Sequence, residues 1–153
     1  MNDLYNSIVE TEARIILLLS VYEGCSLNAD GVTAVDFMAV YPGEFGLADE
    51  NLNGDSIFKY SEITARIAMV DDALKSLFRN GLLESDLSHG IQYRISEKGK
   101  EYVSGFSSTY ASEYLEHVQS VKRAYGNYTG AYSGKLLSKI ITAAENNRSG
   151  GGM

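Results

Sequence analysis

The sequence predicts a mainly α-helical fold with one small β-hairpin, an α+β architecture. Three observations carry that prediction. Apolar residues recur every three to four positions over several long segments. Two short strand-like runs flank a Ser-His-Gly turn. Serine and Asn-Gly signals sit where helices should start and stop. The stretch "LFRNGLLESDLSHGIQYRISEKGKEYV", from Leu77 to Val103, combines all three: a helix end, a two-stranded wing, then another helix. It reads as the back half of a winged helix-turn-helix domain, and the chain continues beyond it as a C-terminal helical extension.

Taken in order, "LYNSIVETEARIILLLSVYEG" places Ile8, Val9, Ile15, Ile16, Leu18, Leu19 and Tyr22 on the wide apolar face of a helix that begins after Thr11 and stops at Gly24. In "LNADGVTAVDFMAVYPGEFG", Val35, Phe37, Met38 and Ala39 keep helical spacing, with Thr33 and Asp36 placed like a capping box. That helix ends near Tyr41, because Pro42, the only proline, lacks an N–H donor and biases the preceding residue away from helix. Residues 43–58 are rich in glycine, asparagine and acids and read as a surface loop.

Ser61 caps the third helix, where Ile63, Ile67, Val70, Leu74, Leu77 and Phe78 form one core stripe and Asn80-Gly81 supplies the stop. "LLESDL" and "IQYRI" are the two strands of the wing, joined by Ser-His-Gly. Ser96 caps the next helix, "EKGKEYVSGF". From Ser108 the pattern narrows to a stripe of Tyr110, Tyr114, Val118, Val121 and Tyr125. "GNYTGAYSG" (126–134) interrupts it, and "KLLSKIITAAE" is a last short amphipathic helix. The resulting division is a winged-helix domain at 1–107, a helical arm at 108–148 and a disordered tail at 149–153.

The charge is divided unevenly. Residues 1–117 hold 8 Lys+Arg against 19 Asp+Glu, a net −11, whereas residues 118–153 hold 5 basic residues against Glu145 alone, a net +4. An acidic body with a basic tail favours a complementary protein partner, or a second copy whose body meets the tail. Cys25 is the single cysteine, so no internal disulfide can form; a buried or partly buried thiol in a reducing cytoplasm is expected. The acidic, polar N-terminus lacks the cationic start of a signal peptide, and the longest apolar run, Ile15 to Leu19, falls far short of the roughly 20 residues that span a bilayer. The expectation is a cytoplasmic protein without membrane contact.

Few residues could carry chemistry. His89 and His117 stand alone, and no HExxH, paired cysteine, Walker loop, dinucleotide fingerprint or nucleophile elbow is present. Asp49, Glu50, Asn51, Asn53 and Asp55 lack the alternation and closing glutamate of a calcium loop. The sequence therefore predicts no enzyme activity, no metal, no cofactor and no small-molecule ligand.

Two functions remain. A homodimeric transcriptional regulator of the MarR or PadR kind would read DNA through residues 61–79 and the wing, with Lys75, Arg79, Arg94 and Lys98 on phosphates or bases. Against it, Glu62, Asp71, Asp72, Glu84 and Asp86 interrupt any basic stripe. A protein adaptor is the other. Eleven tyrosines and no tryptophan, five of the tyrosines within 110–132, point to a contact surface. The 110–125 stripe could equally pack on the chain's own first helix. The last helix, too short to be stable alone, is expected to dock on a partner through Leu136, Leu137, Ile140 and Ile141, with Tyr125, Tyr128 and Tyr132 beside it.

The segments "ARIILLLSVYEG", "AVDFMAVYPGEFG" with its Asp36-Phe37 pair, "VDDALKSLFRNGLLE", "IQYRISEKGKEYV" and "YASEYLEHV" together resemble the winged-helix middle components of bacterial three-component ABC-type ATPase defence systems. The Lamassu anti-phage and anti-plasmid systems are related to these. The resemblance covers residues 8–125, and "DFMAVYPGEF" is its most specific element. It implies a non-catalytic subunit that joins an SMC- or Rad50-like ATPase to an effector, often a nuclease, with DNA contact chiefly through the ATPase. Phe37, Tyr41 and Phe45 around that element are then a second candidate partner surface.

Overall fold

Two helices with almost no polar face determine how this chain packs. In the computed structural model, which describes residues 8–47, 63–88 and 90–126 together with 138, 140 and 142, α1 spans Ile8–Val21 and α2 spans Ala29–Val40. Ile15 to Leu19 of α1 are buried on every side, and so is α2 from Gly31 through Val40. A helix that is apolar all round has to sit inside. The others cover this pair: α3 (Ile63–Arg79) packs on α1 and α2, α4 (Glu97–Val103) on α1, and α5 (Thr109–Tyr125) on α2 and α1. One antiparallel hairpin, β1 (Leu83–Asp86) with β2 (Gln92–Ile95), completes the described elements.

Local chemistry sets most boundaries. Asn28 caps α2, its side chain accepting from the Gly31 amide at 2.9 Å. The capping box expected from Thr33 and Asp36 is therefore not one: the helix begins a turn earlier, and Thr33 donates back to the Ala29 carbonyl at 2.8 Å. Pro42 stops α2 as expected and opens a 3-10 turn over Pro42–Phe45, which Gly46 closes in the left-handed region. Ser96 caps α4 and Ser108 caps α5, each accepting an amide three residues on. The expected Ser61 cap lies outside the described residues, as does most of the 43–58 loop.

The hairpin pairs Leu83 with Ile95, Glu84 with Arg94, Ser85 with Tyr93 and Asp86 with Gln92. Leu27, between α1 and α2, adds a single-residue bridge to Tyr93, with N–H···O contacts of 2.9 and 2.8 Å. The chain order is thus helix, bridge, helix, helix, hairpin. Leu83, Tyr93 and Ile95 turn inward and join the core with Leu27, Val70, Leu74 and Leu77.

The boundary drawn at 107/108 crosses a shared core. Ala111, Tyr114, Val118 and Val121 of α5 are buried in the same cluster as α1 and α2. Lys122 reaches the Val21 carbonyl at 3.0 Å, where the carbonyl end of α1 favours a cation. The free thiol of Cys25 is exposed, contrary to the expectation of burial, because it sits in the turn after α1. Among the described residues no helix is long and apolar enough to cross a membrane.

Candidate functional site

Burying most of α1 and α2 also buries Arg14 and Asp36, and charge in an apolar interior must be paired. Asp36, with no exposed surface, accepts from three other helices. Arg14 of α1 donates Nε to Oδ1 at 2.9 Å and Nη2 to Oδ2 at 3.4 Å. Arg66 of α3 donates Nη1 to Oδ2 at 2.8 Å, and Tyr114 of α5 donates its hydroxyl to Oδ1 at 2.6 Å. One carboxylate thereby joins all four long helices.

Two cations share the buried Asp36 carboxylate. The Arg66 guanidinium lies over the Phe37 and Tyr41 rings, 5.8 and 5.9 Å from their centroids, and its Nε has no hydrogen-bond partner. The ring faces supply the attraction a second carboxylate would otherwise provide. Burial alone would raise the Asp36 pKa. The charges of Arg14 and Arg66 and the hydrogen bonds from Arg14 and Tyr114 outweigh it and hold the carboxyl below its ordinary value. Burial, then the neighbouring Asp36 charge, pushes the Tyr114 hydroxyl well above its usual range. These side chains tie the four helices to one another in the interior.

A groove of about 380 Å³ lies beside the junction, walled by Ala13, Leu17 and Phe106 with Glu10, Arg14 and Tyr110 as its larger polar side chains. Its hydroxyls are those of Tyr110 and of Ser108, whose oxygen accepts from the Ala111 amide as the cap of α5. Among the described residues no group of three or more His, Cys, Asp or Glu could hold a metal.

The partner residues expected from sequence fare unevenly. Phe37 and Tyr41 are buried, so they cannot form a contact surface; α2 is interior, and their rings face Arg66 and each other instead. Phe45 is half-buried, edge-on to Phe37 at 6.2 Å. Ile140 is also corrected: it is buried within the chain's own core cluster, so it is not offered to a partner. Tyr125 is half-buried against the same cluster. Tyr128, Tyr132, Leu136, Leu137 and Ile141 lie outside the described residues.

The four cations of the DNA-reading alternative lie on α3, the hairpin and the start of α4. Lys75 pairs with Asp71 at 2.9 Å and Arg94 with Glu84 at 2.9 Å; Lys98 binds the Asn80 carbonyl at 3.0 Å, and Arg79 is exposed. Asp71, Asp72, Glu84 and Asp86 match these four cations in number, so no net basic stripe is left. That balance opposes phosphate binding. The end of α3 and the hairpin also expose apolar groups: Phe78 at 45%, Leu87 at 71% and Ile91 at 58%. Sequence reading placed Phe78 in the core stripe and gave Leu87 and Ile91 no role beyond the strands. Their signal was available in the two-residue alternation, which puts them one step past the last inward pair.

Comparison with known families adds an observation of another kind. The description ABC-three component (ABC-3C) system Middle Component 2 fits residues 4–147. The chain belongs to the Middle Component 2 family. The resemblance read from Asp36-Phe37 and its surroundings is therefore correct at family level, and membership in a three-component system implies protein partners. Among curated proteins and solved structures, none matches this Middle Component 2 chain.

Proposed function

We propose that this chain is a non-catalytic adaptor of a bacterial, Lamassu-type anti-phage and anti-plasmid defence complex, built on a winged-helix body. In this reading it docks on an SMC-like ABC ATPase in the cytoplasm and links it to a nuclease-type effector, which it keeps silent until foreign DNA is sensed. The observation that carries it is the match to Middle Component 2 over residues 4–147. The helix–bridge–helix–helix–hairpin order supports a winged helix, with Leu27 as the reduced first strand and residues 87–91 as the wing tip. The paired cations of α3 and the hairpin, with no net basic stripe, support protein contact over DNA contact.

The test is co-expression of the tagged chain with the ATPase and effector components of its own system, followed by sizing and mass measurement. A stoichiometric complex containing the ATPase, with no turnover by the chain alone, is the expected result. A free dimer that retains DNA with a steep salt dependence would reinstate the regulator in its place.

A further inference from the structure

Asn80 followed by Gly81 is a dipeptide with a covalent chemistry of its own. Glycine has no Cβ, so its amide nitrogen can approach the carboxamide carbon of the asparagine before it. The nitrogen gives up its proton and bonds to Cγ, the side-chain nitrogen leaves as ammonia, and a succinimide ring results. Water then opens the ring at either carbonyl, giving aspartate or its β-linked isomer, isoaspartate. Water is the only co-reactant, and asparagine counts among the thermally labile residues. Both residues are exposed here, so water reaches them.

The fold holds both reacting groups in other bonds. Gly81, at φ +78°, takes the left-handed position that ends α3. Its amide donates to the Phe78 carbonyl at 3.0 Å, and the Leu82 amide donates to the Leu77 carbonyl at 3.0 Å. The Asn80 carboxamide turns back along α3 and donates to the Ser76 carbonyl at 3.0 Å. From the start of α4, the Ser96 hydroxyl donates to the Gly81 carbonyl at 2.7 Å and Lys98 Nζ to the Asn80 carbonyl at 3.0 Å. Ring closure requires Gly81 to release its proton and the carboxamide carbon to swing toward it. The bonds to Phe78 and Ser76 must break first.

We propose that Asn80-Gly81 is a latent deamidation site, closed by this helix end and reached through its local opening. The inference stands apart from the adaptor reading. Conversion changes the turn. An ionised aspartate at position 80 has no proton to donate to Ser76, and it places negative charge at the carbonyl end of α3, where a cation is favoured. Isoaspartate adds a carbon to the main chain between α3 and β1, so the Leu82-to-Leu77 bond loses its register. Either product loosens the junction from which the hairpin departs.

The test incubates the full chain at mildly alkaline pH and follows Asn80 by peptide mass spectrometry, as the mass gain of NH2 replaced by OH. Conversion should be at least about 10-fold slower in the folded chain than in the same chain unfolded in urea, the ratio reporting how seldom the turn opens. Ser96→Ala, which releases the Gly81 carbonyl, should convert faster than the parent, with circular dichroism showing that it is folded. Asn80→Asp, the product made directly, should melt at a lower temperature than the parent. Equal rates in the folded and unfolded parent overturn the helix end as a gate, as does a folded Ser96→Ala variant no faster than the parent. A folded parent that stays unconverted while the unfolded chain converts fully overturns the site itself. An unchanged melting temperature for Asn80→Asp overturns the loosening by the aspartate product. Should Ser96→Ala fail to fold, the ratio between folded and unfolded parent decides alone.

Discussion

Asp36 has no water to fall back on, and each of its oxygens is committed to donors from other helices. Replacing it with asparagine keeps the shape but leaves Arg14 and Arg66 buried around a neutral group. The unfolding free energy should fall by about 3–5 kcal/mol, the usual cost of removing one partner from a buried ion pair, as read by urea denaturation. The sign with pH follows from the lowered carboxyl. A group whose folded pKa is depressed stabilises fully above its unfolded value, about 3.9 for aspartate, and that contribution fades as pH falls through the lower folded value. The gap between parent and Asp36→Asn should thus hold from pH 7 to about 5 and close only in stronger acid. A gap already closing near pH 6 would mean that another group controls the junction.

The elements differ in how much of them local sequence reveals. Caps and turns are chemistry between near neighbours, so the Ser96 cap and the Pro42 stop were legible. The start of α2 was misread because Thr33 and Asp36 match a local cap pattern while Asp36 is claimed by partners 22, 30 and 78 residues away. No local pattern contains Arg14, Arg66 and Tyr114 together. Ile140 was misassigned for a related reason: amphipathic spacing shows that a face will be covered but not by what. Glycines separate local from tertiary constraint equally well. A Cβ on Gly99 of α4 would collide with the Leu82 carbonyl and lie 2.7 Å from Ile95 Cγ1, and the Leu82 oxygen is fixed by the Ser96 amide at 3.1 Å. Gly99→Ala should therefore cost at least about 2 kcal/mol. Gly126, in helical backbone after α5, has open space around it. Gly126→Ala should be neutral or stabilise by about 0.4–1 kcal/mol. Thermal melts of the two variants should move in opposite directions or differ by several degrees; equal shifts would refute the close approach at Gly99.

For the whole molecule, net charge and its placement decide between partners. A −7 chain whose α3 and hairpin cations are mostly paired should bind duplex DNA more weakly than the roughly 10⁻⁴–10⁻⁶ M of ordinary non-specific binders. Filter retention across a salt series should show no measurable slope, and a steep slope would contradict the assignment of this face to protein. The arrangement that supports that face is asymmetric: two interior helices, α1 and α2, are enclosed by elements that each present one face inward. The four-helix junction also constrains how such a chain can change over generations. Asp36 cannot be lost alone without stranding the buried Arg14 and Arg66, whereas exchanging all three together for well-packed apolar side chains of similar volume can be nearly neutral. Lineages of this family should accordingly fall into two groups at these positions, one retaining the charged trio and one having replaced it as a set. Intermediates that lack Asp36 alone should be rare, and drift between the groups should run through Tyr114 or a single arginine, whose loss leaves Asp36 paired.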